Sequence, residues 1–117
     1  MRRAVPISLA FAVAVMTAAC GAGGGVPPAC SNFSTSTTVT TDDFSYGPNC
    51  LREPEGITLS IDNAGAAPHT FSLEGTDASV DVPAGEQATL DLSGVAVGTY
   101  TVICTYHPQM KATIELG

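Results

Sequence analysis

A chain of 117 residues has room for one domain. Eleven Asp and Glu outweigh four Lys and Arg, giving a formal net charge of −7, and past residue 19 the only basic side chains are Arg52 and Lys111. Such a surface argues against nucleic acid and against direct binding to anionic lipid, because phosphate recognition needs a basic face.

The first element reads as an export signal rather than as fold. Arg2 and Arg3 precede an apolar run from Ile7 to Met16, too short to span a bilayer comfortably, and Thr17-Ala18-Ala19 then leads to Cys20. The arrangement resembles a bacterial lipoprotein signal. That resemblance implies removal of residues 1–19 and lipidation of Cys20. The alternative is an ordinary secretory signal cleaved nearby, with Cys20 a spare thiol. Either way the product is exported. On the first reading it is extracytoplasmic and held at the cell membrane, on the periplasmic or outer side, through its lipid alone. Gly21 to Ala29 is rich in Gly, Ala and Pro and reads as a flexible tether. Residues 20–34 are therefore expected as linker and 35–117 as the folded domain. Cys30 and Cys50 form a pair whose spacing, in an exported protein, favours a disulfide, two unpaired thiols being the alternative. Closing a loop of this size stabilises by about 3 kcal/mol, which matters to a domain with a small core.

The Ser/Thr run from Ser34 to Thr41 is compatible with a strand but low in complexity. From Ile57 onward the hydrophobic period is two. Ile57, Leu59 and Ile61 alternate with polar neighbours, as do His69, Phe71 and Leu73, with Thr70, Ser72 and Glu74 on the opposite face. Ala88, Leu90 and Leu92 repeat the pattern, as do Tyr100, Val102 and Cys104, and finally Ala112, Ile114 and Leu116. Asn63-Ala64-Gly65, Pro83-Ala84-Gly85 and Ser93-Gly94 are turn signals between these runs. No stretch shows sustained helical periodicity. Short strands with one apolar face each predict an all-β domain of two packed sheets, with His69 and Cys104 on inward faces.

The chemistry is concentrated near the C-terminus, where Cys104-Thr105-Tyr106-His107-Pro108-Gln109-Met110 brings a thiolate, an imidazole and a thioether into one loop between two predicted strands. His69 adds a second imidazole from another strand. Two His, one Cys and a distant Met form the donor set of blue copper electron-transfer sites. Thiolate binds copper strongly, imidazole suits both oxidation states, and a soft thioether favours Cu(I). Taken singly, an inward His, a strand-end Cys or a Met is usually core packing. The chain has two histidines, however, and both belong to the set, as does the one methionine beyond the signal.

This segment resembles the cupredoxins, and the short Cys-x-x-His-x-x-Met loop is most similar to the amicyanin type. The resemblance covers roughly Phe44 to Gly117. It includes the stretch from Pro48, the Asn63-to-His69 approach, the Pro83-Ala84-Gly85 turn and Gly98-x-Tyr100. It implies a Greek-key β-sandwich, with one type 1 copper held by His69, Cys104, His107 and Met110. Three positions depart from the family pattern. Thr70 stands where Asn often follows the first histidine, Val102 where an aromatic often precedes the cysteine, and Gln109 where the amicyanin type has an aromatic.

Four protein ligands leave no open position for a substrate, so an electron carrier is expected rather than an enzyme. By resemblance, electrons leave through the edge of His107, within an apolar patch to which Ala66, Ala67, Pro68 and Pro108 contribute. The excess of carboxylates predicts a basic redox partner, such as an exported c-type cytochrome domain. The protein itself is expected to be monomeric. The rival reading is a copper-binding lipoprotein for sequestration or delivery. Such proteins tend to carry exposed Met or His clusters, and none stands out in this sequence.

Overall fold

The computed structural model describes residues 27–117. The expected export signal over residues 1–19 and the expected lipidation site Cys20 lie outside these residues. Among them the chain forms nine strands and no helix. In chain order they are β1 (Thr38–Asp42), β2 (Ser45–Gly47), β3 (Cys50–Glu53), β4 (Thr58–Asn63), β5 (His69–Leu73), β6 (Ser79–Val82), β7 (Gln87–Asp91), β8 (Gly98–Cys104) and β9 (His107–Leu116).

The strands form two mixed sheets, one ordered β2-β1-β4-β7 and the other β3-β9-β8-β5-β6. Parallel pairing joins β1 to β4 and β3 to β9, and the other pairs are antiparallel. This is the expected β-sandwich. The alternating apolar residues explain it: Leu59 and Ile61 of β4 and Ala112, Ile114 and Leu116 of β9 turn inward and share one core with Val39, Leu51, Phe71 and Val102. At roughly 25 cal/mol per Å² of apolar surface, burial of these side chains is the main favourable contribution to folding. The turns fall where the sequence places them. At Pro83-Ala84-Gly85, Glu86 N–H donates to the Pro83 carbonyl at 3.0 Å, and Gly85 adopts φ +73°, a conformation that favours glycine.

Three features differ from the pattern read in the sequence. β5 is buried along its whole length, including Thr70 and Ser72, which were expected to face solvent. It lies between β8 and β6, and its hydroxyls find partners: Ser72 Oγ with Ser79 Oγ, and Thr70 Oγ1 with the backbone of Thr105. Hydrogen-bonded hydroxyls are buried at little cost. Secondly, β9 begins at His107 rather than near Lys111, so the ligand segment is mostly strand and Thr105-Tyr106 alone forms the turn. Thirdly, ordered structure starts before residue 35. Cys30 is disulfide-bonded to Cys50, Ser34 N–H donates to the Cys50 carbonyl at 2.9 Å, and Arg52 N–H donates to the Ser34 carbonyl at 3.0 Å. Arg52 also lies over the Phe33 ring, 4.4 Å from its centroid, and pairs with Glu115.

Candidate metal centre

His69 opens β5, Cys104 closes β8 and His107 opens β9, and all three strands belong to the five-stranded sheet. Antiparallel pairing of β5 with β8 and of β8 with β9 brings these three ends together. An irregularity in register between Ile103 and Cys104 sets Cys104 opposite His107. Such a bulge re-aims a side chain at the end of a ladder.

The donor atoms converge. Cys104 Sγ lies 3.9 Å from His69 Nδ1 and 3.5 Å from His107 Nδ1, and the three ligand atoms all fall within 4.8 Å of one another. A nitrogen and a sulfur bound at about 2.0 and 2.3 Å from one metal in a trigonal plane lie about 3.7 Å apart. The two sulfur–nitrogen separations lie within about 0.2 Å of that value. His69 and Cys104 are buried, and His107 is half-buried. Met110 is also buried, on the inward row of β9 three residues past His107, rather than in a loop. Soft thiolate and thioether together with two imidazoles suit copper, and two His with one Cys and a weak Met fit a type 1 site.

The surroundings hold the donors in place. Thr70 N–H points at Cys104 Sγ at 3.4 Å. Thr70 Oγ1 accepts a hydrogen bond from Thr105 N–H at 2.8 Å. This residue thus braces the turn after Cys104 despite standing where Asn was expected. Asn63 supports the approach to His69, donating from Nδ2 to the carbonyls of Ala67 and Val82, both at 2.9 Å, and accepting from Gly65 N–H at 2.9 Å. Tyr46 donates its hydroxyl to the Thr70 carbonyl at 2.5 Å and packs edge-on against Phe71. Burial, and then the neighbouring Cys104 sulfur, push the Tyr46 phenol well above its ordinary value of 10.0.

Two residues at the centre were not anticipated from the sequence. Asp43 and Phe44 sit in the turn between β1 and β2 and reach it from the other sheet. Asp43 Oδ1 lies 2.9 Å from His69 Nε2. Its carboxylate also accepts from Ala66 N–H at 2.9 Å and Ala67 N–H at 3.3 Å. The Ala66 N–H leads in holding the Asp43 carboxyl below the usual carboxylate range, with the His69 contact assisting. The Phe44 ring lies 4.6 Å from the His107 ring and 6.2 Å from the His69 ring, with half its surface exposed. No local pattern marks either residue, since both contacts arise only when the two sheets close.

Comparison with known proteins agrees with this geometry. A family model described as a cupredoxin-like domain matches residues 7–114. A search of curated proteins by sequence finds no match. Among solved structures, a reduced Cu(I) form of an amicyanin proline variant at pH 4 aligns with TM-score 0.58 and 20% identity, over 74% of this chain and 87% of that one. An oxidized amicyanin methionine-to-leucine variant aligns with TM-score 0.58 and 22% identity, over 68% of this chain and 80% of that one. A copper-containing nitrite reductase from Thermus scotoductus SA-01 aligns with TM-score 0.56 and 22% identity, over 79% of this chain but 25% of that one. At these identities the structural likeness speaks for the fold, and the family assignment rests on the match across nearly the whole sequence: the chain belongs to the family of cupredoxin-like domains.

Proposed function

We propose that the protein carries single electrons on one type 1 copper held by His69, Cys104, His107 and Met110. The observation that carries this reading is the convergence of two imidazole Nδ1 atoms on one buried thiol, at 3.5 and 3.9 Å. Copper supplies the one-electron couple. The chain supplies donors mounted on strands, His69, Cys104 and His107 at strand ends and Met110 within β9, which limits how far they move when the charge changes. Four protein donors leave no open position for a substrate, which favours a carrier over an enzyme. The nitrite reductase likeness spans a quarter of that chain and carries only the fold.

His107 is the half-buried member of the set and the natural exit for electrons. Ala66, Pro68 and Pro108 are exposed on the segments that bear the histidines and offer uncharged contact. The half-exposed Phe44 adds an aromatic surface against the His107 ring. The acidic composition favours a basic redox partner, for example a c-type cytochrome domain, steered to this end by charge. The run from Arg2 to Cys20 favours export and a lipid anchor, with the partner near the membrane surface.

The test is spectroscopic. Mature protein loaded with Cu(II) should show an intense visible thiolate-to-copper charge-transfer band, and Cys104→Ser should remove the band while leaving a folded β protein. A colourless wild-type copper complex refutes the carrier reading. For the partner, the transfer rate to a basic cytochrome should fall as salt rises and exceed the rate to an acidic one. Equal, salt-independent rates remove the steering role.

A further inference from the structure

The turn between β1 and β2 belongs to the sheet that contributes none of the four proposed ligands, yet its tip lies against both imidazoles. Asp43 is the informative residue. His69 is completely buried, and its Nε2 faces an oxygen of Asp43, whose side chain keeps 27% of its surface exposed. Three groups converge on this carboxylate: Ala67 N–H donates to Oδ1, Ala66 N–H donates to Oδ2, and His69 Nε2 lies 2.9 Å from Oδ1. The close approach of the 64–67 segment depends on Gly65, because a Cβ there would collide with the Asp43 carboxylate.

An ionised carboxylate only accepts hydrogen bonds. Facing Nε2, it selects the tautomer that carries its proton on Nε2 and leaves the Nδ1 lone pair free, on the side where Cys104 Sγ lies. Carboxylate partners of this kind orient a metal-binding histidine and raise its basicity. The negative charge beside the ring also favours the more highly charged metal state.

We infer that Asp43 is a positioning residue of the copper centre: it fixes the Nε2–H tautomer and the orientation of His69, and it strengthens His69 as a donor to Cu(II) relative to Cu(I). This inference rests on the copper reading above and adds to it a residue from the opposite sheet. Asparagine is nearly isosteric but cannot replace the carboxylate. Its amide presents one acceptor and one donor group. If the NH2 takes the Oδ1 position it opposes His69 Nε2–H and Ala67 N–H, and if it takes the Oδ2 position it opposes Ala66 N–H.

The test has a metal-free arm and a copper arm. In the copper-free wild-type protein, nitrogen-15 NMR of the imidazoles should show His69 as the Nε2–H tautomer; a predominant Nδ1–H form overturns the inference whatever happens to any variant. In the copper arm, folded Asp43→Asn should bind Cu(II) about 10–100-fold more weakly than wild type. Its midpoint potential should also rise, a tenfold loss of preference for Cu(II) over Cu(I) corresponding to about 59 mV for one electron. A purely structural role for Asp43 would lower the unfolding midpoint and leave the potential unchanged. A folded Asp43→Asn protein with wild-type Cu(II) affinity and potential therefore overturns the inference. Failure of the copper reading itself shows separately, as a colourless wild-type complex.

Discussion

Replacing Tyr46 by Phe should destabilise the protein at neutral pH and cease to do so in alkali. Tyr46 is buried, and its hydroxyl donates to the Thr70 carbonyl at 2.5 Å. Phenylalanine keeps the edge-on packing against Phe71 but leaves that buried carbonyl without its partner, at a cost of about 1–1.5 kcal/mol. The pH dependence comes from the phenol itself. In the unfolded chain it ionises near pH 10, whereas in the fold burial keeps it neutral well above that value. A folded-state pKa raised above the unfolded one gives stability that is complete below pH 10 and is lost as pH rises. By pH 11 the unfolded wild-type chain has gained about 1.4 kcal/mol from this ionisation, and the Phe variant has gained nothing. The two effects are of similar size and opposite sign. The gap between wild type and Tyr46→Phe should therefore close between pH 8 and pH 11. Urea unfolding of the copper-free proteins followed by circular dichroism measures it, and Tyr100 and Tyr106, present in both proteins, cancel in the difference. A gap of the same size at both pH values would refute the argument.

Two further predictions concern stability. Thr41 Oγ1 is buried with no hydrogen-bond partner, so Thr41→Val should raise stability by about 1 kcal/mol, seen as a rise of several degrees in the thermal midpoint; a fall would show that the hydroxyl does have a partner. Replacing both Cys30 and Cys50 by Ala opens a loop with a sequence separation of 20 and should cost about 3 kcal/mol. Calorimetry should then find the midpoint lowered by more than about 10 °C, and a loss under about 1 kcal/mol would mean that the unfolded chain is already restricted.

The grouping of His69, Cys104 and His107 was legible in the sequence because these residue types are scarce, and because alternation of period two sets the facing of His69 and Cys104. The pairing of Cys30 with Cys50 was legible in the spacing of the two residues, read on the expectation of an oxidising compartment. Other features depend on what the second sheet brings into contact. Asp43 looks like one of many surface carboxylates until the β1–β2 turn meets His69, 26 residues further on. Thr70 and Ser72 read as solvent-facing because hydroxyls usually are; their burial depends on partners in Thr105 and Ser79 that no local pattern announces. The three or four residues of β2, β3 and β6 are too few to establish a period. Met110 was placed in a loop because the sequence does not reveal that the ladder with β8 continues to His107.

The segment before β1 also bears on how the molecule behaves in company. β3 is an outermost strand of its sheet, and such an edge invites pairing with another chain. Here the outward side of the edge is already engaged, since Ser34 exchanges backbone hydrogen bonds with Cys50 and Arg52, and the disulfide fastens the start of the same segment to the start of β3. Reduction of that bridge would loosen the cover and offer Cys50–Glu53 as a template for strand addition. The covalent link therefore guards against self-association through this edge as well as against unfolding.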